Sequence, residues 1–156
     1  RVQIGSNNGG QRTSKLMIKV ITDDKNRVAD WAAKHLKGCT WRDFYAMGYE
    51  REGKLIGAAI FDQFSGKSSN NDMHISVASV SHDCWTRKHL AEAFDYVWNQ
   101  CKCARLTGLV SVSNRKSNKL IKGLGFTKEG VMRQKFYPED ANVWGLLKHE
   151  CTWLER

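Results

Sequence analysis

Proline, acidic charge and long apolar runs are all scarce in this chain, and each shortage narrows what it can be. The single proline, Pro138, lies in Pro-Glu-Asp and marks a turn, and no internal repeat or interior linker interrupts the sequence. No run approaches the ~18 apolar residues of a membrane span, so a soluble protein with no membrane partner is expected. The amino-terminal stretch lacks the basic-then-apolar blocks of a secretory signal. Five cysteines, at 39, 84, 101, 103 and 151, form no paired framework. With no signal, that odd count points to a reducing, cytoplasmic setting. Neither Cys101-x-Cys103 nor the group His82, Cys84 and His89 gives the two spaced ligand pairs of a zinc site, so no metal is expected and the thiols are read as small buried hydrophobes. Acidic residues number 16 against 25 basic ones, a net charge of +9. Such a balance favours anionic partners: a phosphate-bearing cofactor, nucleic acid, a ribosome surface or an acidic protein.

What is present describes one folded domain. A length of 156 residues, 41% hydrophobic with six Trp, suffices for a proper core. Residues 1–15 are polar and rich in Gly, Asn and Ser, and are expected to be a leader, linker or artificial remnant, with Met17 a credible native start and the domain running over 16–156. Leu16 to Ile21 reads as a strand. Thr22 is expected to cap a helix with Asp23 and Asp24 in its first turn and Val28, Trp31, Ala32, His35 and Leu36 on one face. Strands are expected at 44–51 and 55–64, joined by the Gly-containing turn Glu52-Gly53-Lys54. A loop at 65–71 leads to a strand at 73–80. A helix over 86–100 presents Leu90, Ala93, Phe94, Val97, Trp98 and Cys101 to the core. Two last strands fall at about 127–137 and 143–153.

Residues 105–133 carry the most specific pattern. Leu106, Gly108, Val110 and Val112 alternate as in a strand, Ser113 is a candidate N-cap, and Ser117, Leu120, Ile121 and Leu124 recur at helical spacing. Gly125 sits where a left-handed C-cap is wanted, with Phe126 to close over the helix end. The spacing of Asn114, Ser117, Leu120, Leu124, Gly125, Phe126, Glu129 and Gly130 resembles the carboxy-terminal half of the GNAT superfamily of N-acetyltransferases. The element order across 16–154 is similar too, save that only Lys37 to Asp43 is available for the usual second helix. Trp85-Thr86-Arg87, Phe94-Asp95-Tyr96, Arg105, Asn114, Ser117 and Cys151-x-Trp153-Leu154 also resemble short acetyltransferase-like proteins of tailed phages.

The resemblance implies an α+β fold, with a mixed and mostly antiparallel sheet, helices on both faces and a splayed parallel strand pair, here Met73–Val80 and Arg105–Ser113. It implies acetyl-CoA in that gap, with Val77, Ala78 and Val80 meeting the pantetheine arm. The pyrophosphate loop of such proteins is rich in glycine, whereas SHDCWTRKH between Val80 and Leu90 has none. Trp85, Thr86, Arg87 and Lys88 take that place, the last two able to meet phosphate with side-chain charge. Asn114 is expected to bond pantetheine or substrate, and the basic helix carrying Arg115, Lys116, Lys119 and Lys122 to neutralise the adenosine 3′-phosphate. The Tyr that many relatives use to protonate the departing thiolate is replaced by Ile121. Ser117 matches the Ser that serves in the branch acetylating ribosomal-protein N-termini. That branch uses a Glu as base, and no Glu lies in 53–91. Asp72 and His74 are the local substitutes, His74 having the better-placed ordinary pKa, ~6.5.

The function expected is transfer of an acetyl group to an amine, of a protein or peptide N-terminus or lysine. The alternative is a GNAT-fold module without catalysis that engages a host or viral protein. A nucleic-acid or ribosome-associated domain ranks behind both, because the aromatics fall on apolar faces rather than between Lys and Arg.

Overall fold

The structure, a computed structural model, describes residues 2–4, 17–36, 39–65 and 71–154. Seven strands form one sheet in the order β2-β3-β4-β5-β6-β8-β7, and a short β1 pairs with β5 beside them. The strands are β1 (Val2–Ile4), β2 (Lys19–Ile21), β3 (Phe44–Arg51), β4 (Lys54–Ser65), β5 (Asn71–Ser79), β6 (Cys103–Ser111), β7 (Thr127–Phe136) and β8 (Glu139–Leu147). The helices are α1 (Lys25–His35), α2 (Arg87–Asp95) and α3 (Arg115–Gly123). All neighbours run antiparallel except β5 with β6 and β1 with β5.

Period-two alternation along β3 and β4 divides the core between two faces. Ala46, Ala58 and Ile60 join Ile21, Leu55, Val28 and Ala32 beneath α1. Met47, Tyr49, Ala59 and Phe61 belong to the larger cluster with Phe94, Val97 and Trp98 of the α2 segment, Ile121 of α3, and Leu106, Val110, Trp144 and Leu146. Helices therefore cover both faces, as expected. The chain turns from β3 to β4 through Glu52 and Gly53, both at positive φ.

Several local expectations shift. Thr22 does not cap α1: the helix begins after Asp24, whose side chain makes no capping bond, so neither Asp23 nor Asp24 lies in the first turn. The N-cap of α3 is Asn114 and not Ser113, because the Asn114 Oδ1 accepts from the Ser117 N–H at 3.1 Å. The helix expected over 86–100 is α2 followed by a π-helical turn over 96–100, closed by Cys101 N–H to Tyr96 O at 2.9 Å. The last strand ends at Leu147, and Trp153 instead donates from Nε1 to Leu124 O at 2.9 Å, satisfying a carbonyl at the end of α3. Gly125 has φ +101, the left-handed conformation its position needs, and Phe126 is buried. Residues 39–43 form no helix; 37 and 38 lie outside the described residues, as do 66–70 of the expected loop and 5–15 of the expected leader. The other leader residues described, 2–4, are a strand.

Candidate functional site

The site is built where β5 and β6 stop pairing. Their register runs from Asn71 opposite Cys103 to Ile75 opposite Gly108 and goes no further, while β6 continues with β8 to Ser111 opposite Ala141. Beyond Ile75, β5 keeps β4 on one edge and meets only the short β1 on the other, while the Val80 N–H donates to Ile56 O at 2.9 Å. Strand backbone groups alternate sides, so Val80 and Ala78 direct their amides to β4. Val77 and Ser79 are left facing the gap. Of the three strand positions named from sequence, Val77 turns its backbone to this edge while Ala78 and Val80 turn theirs to β4; Ser79, not named from sequence, shares the side of Val77. Its parity is set by a partner strand that no local pattern shows.

Helix α3 borders the gap and is fixed tightly to the sheet. Asn118 donates from Nδ2 to Ser111 O and Asn114 O, both at 2.9 Å. Its Oδ1 accepts from Asn142 Nδ2 at 3.1 Å and Trp144 Nε1 at 3.0 Å. Gly108 permits the close approach of helix and strand: a Cβ there would lie 2.6 Å from the Ile121 Cδ1. At the start of this anchored helix, Asn114 Nδ2 reaches into the gap and donates to Val2 O at 3.3 Å. Ser117, one turn on and on the same face, is fully buried, and its Oγ has no hydrogen-bond partner. An unsatisfied buried hydroxyl costs about 1–3 kcal/mol, a cost that a ligand atom accepting or donating there would remove. Arg115 and Lys116 are exposed beside it.

The glycine-free segment makes a 3₁₀ turn over His82–Trp85 and opens α2. Ser81 Oγ accepts from Asp83 N–H and Thr86 Oγ1 from His89 N–H, each at 3.2 Å, so side chains cap where glycines would leave free amides. Trp85 Nε1 donates to Ser79 Oγ at 3.1 Å and ties this turn to the gap. Arg87 and Lys88 are exposed at the first turn of α2, with the Arg87 guanidinium 5.7 Å from the Trp153 ring centre.

On the α1 face of the sheet, His74 stands opposite Asp62 across the β4–β5 pair. Both line a pocket of about 340 Å³ with Trp41, Gln63, Ser76 and Lys135. Burial holds the His74 imidazole below its ordinary pKa, with Asp72 and Asp62 pulling the other way. Burial raises the Asp62 carboxyl, against the pull of His74. Asp72 is engaged elsewhere: it accepts from Thr107 Oγ1 at 3.0 Å and lies 3.7 Å from Arg105 Nε, while Arg105 also grips Glu129 through both terminal nitrogens. Asp62 and Trp41 were not singled out from the sequence; Asp62 meets His74 across the β4–β5 pair, and Trp41, ahead of β3, reaches the pocket by donating Nε1 to Ser76 Oγ at 3.4 Å. Of the cysteines, Cys84 and Cys103 are buried, with thiols pushed up to about 12 by desolvation. No group of His, Cys, Asp or Glu suited to a metal occurs among the described residues.

Among solved structures, a spermidine N-acetyltransferase SpeG chimera from Vibrio cholerae and hSSAT superposes with TM-score 0.67 at 14% identity, over 89% of this chain and 99% of that one. The Vibrio cholerae spermidine N-acetyltransferase in complex with CoA and spermine gives TM-score 0.63 at 14% identity, over 85% and 96%. A GNAT-family acetyltransferase from Bacillus anthracis gives 0.54 at 15%, over 67% of each. The uncharacterized N-acetyltransferase YoaA of Bacillus subtilis (strain 168) is 33% identical over 63 residues, 38% of this chain. That match spans 36% of YoaA's own length. No family model matches. The chain has the GNAT acetyltransferase fold.

Proposed function

We propose that this chain is an acetyl-CoA-dependent N-acetyltransferase that acts on an amine of a protein or peptide. One observation carries it: the buried, unpartnered Ser117 Oγ lies on an anchored helix beside a gap whose backbone edge at Val77 and Ser79 is turned inward. When bound, acetyl-CoA supplies a thioester carbonyl for attack and a thiol as leaving group.

The chain's own groups then divide the work. The backbone of Val77 and Ser79 and the Asn114 Nδ2 bind an amide-bearing arm as a strand would be bound. Arg87 and Lys88 meet the pyrophosphate with side-chain charge, and Arg115 and Lys116 lie near enough to α3's start to serve the 3′-phosphate. His74, neutral near pH 7 because burial disfavours its charged form, takes the proton of the acceptor ammonium. The freed nitrogen forms the new C–N bond as C–S breaks; the Ser117 hydroxyl gives its proton to the departing sulfur and is restored by the proton that the new amide nitrogen sheds.

A second reading, acetylation of a small polyamine, is favoured by Asp62 and Trp41 in the His74 pocket, an anionic and an aromatic group suited to an alkylammonium. Thiol release from acetyl-CoA, measured across N-terminal peptides, lysine peptides and polyamines, decides between them. Higher kcat/KM for peptides is expected. Turnover confined to polyamines would select the second reading, and no turnover with any amine would leave a binding module.

A further inference from the structure

The gap assigned to acetyl-CoA already holds a strand of this chain. Val2, Gln3 and Ile4 lie parallel to β5, opposite Val77, Ala78 and Ser79. Val2 is 4% exposed, and its carbonyl takes the Asn114 Nδ2 that a pantetheine amide would use. Because that carbonyl points to α3, alternation turns the Gln3 backbone toward β5, onto the edge offered by Val77 and Ser79. An extended peptide and a pantetheine arm present the same kind of amide donors and acceptors to one row of backbone groups. They cannot occupy it together.

We infer that residues 2–4 act as an internal competitor of acetyl-CoA, a self-inhibitory strand that must leave before the co-substrate binds; this rests on the proposed function. The strand fills the gap incompletely. Ser117 Oγ, one turn beyond Asn114, stays unpartnered, and an apolar void of about 40 Å³ remains between Val2 and the α2 and α3 side chains. A tethered segment competes at an effective concentration in the millimolar range for short flexible links, so even a weak strand reduces the apparent affinity for CoA by the fraction of molecules in which the gap is closed.

The test uses the full chain and CoA. Hydrogen exchange at the amides of residues 2–4 should accelerate on saturation with CoA while Val77 and Ser79 stay protected. In parallel, Gln3→Pro, which removes the backbone donor facing β5, and Val2→Asp, which cannot be buried unpaired, should each bind CoA about tenfold tighter or more in calorimetric titration. Protection of residues 2–4 that persists at saturating CoA overturns the inference. So does equal or weaker binding by both variants at unchanged melting temperature, and in that case the gap remains the CoA site. If neither the wild type nor either variant binds CoA at millimolar concentration, the assignment of the gap itself falls, and the inference with it.

Discussion

The proposed chemistry rests on two side chains, Ser117 and His74, and it predicts different responses to their substitution. Ser117→Ala removes a hydroxyl that is buried without a partner. Melting temperature should therefore hold or rise, CoA affinity should hold, and kcat should fall by about 10²–10⁴ if the hydroxyl acts as the thiolate's acid. Full kcat in the variant would remove Ser117 from the mechanism. For His74, the folded pKa lies below the ordinary value, so the base form is present at neutral pH. The kcat/KM profile should rise through an apparent pKa below ~6.5, and His74→Gln should lose that limb together with most of its rate. The sign carries over to stability: a depressed pKa means the contribution is fully present above the unfolded value and lost as pH falls through the folded one. Comparing acid unfolding of wild type and His74→Gln checks it. Asn114, Ser117 and His74 could be named as candidates from the sequence because each sits inside a local pattern, a helix start or a strand. Ser79 and Asp62 were not, since what matters about them is the partner across the sheet.

At the scale of elements, α3 is the part whose placement matters most. Asn118 makes four hydrogen bonds, three of which join α3 to β6 and β8 while the fourth closes on its own N-cap, Asn114. Asn118→Ala leaves Trp144 Nε1 without its partner and should cost about 1–3 kcal/mol, read as a lower melting temperature. Because Asn114 and Ser117 ride on the same helix, CoA affinity should fall as well. Asn142→Ala, which loses only one of the four bonds, should change both much less. Element order was readable from periodicity and turn signals, and it holds from β2 to β8. Helix starts were less so. Thr22 and Ser113 are good cap residues by type, but adjacent Asp24 and Asn114 hold those positions, and cap preference alone cannot choose among neighbours that all qualify. The end of β8 was overextended because Trp153 is apolar; its indole packs against the chain and bonds α3 instead of joining the ladder.

The whole molecule carries a charge of +9 with no glycine in the segment that opens α2. If Arg87 and Lys88 replace backbone donors there, CoA affinity should fall with added salt and fall again in an Arg87→Ala/Lys88→Ala double variant, with a shallower salt dependence in the variant. Unchanged affinity would mean that the phosphates lie elsewhere. Fold class followed from the sequence, but the splay did not follow from periodicity, and β1 could not: Val2 meets Val77 across 75 residues, inside a stretch whose polar composition reads as a leader. The most direct test of the central claim, that the β5–β6 gap binds acetyl-CoA, is a CoA titration of the full chain followed by backbone amide NMR. Saturable shifts should concentrate at Val77, Ser79, the first turn of α2 and the first turn of α3. Shifts confined to other surfaces, or none at millimolar CoA, would contradict it.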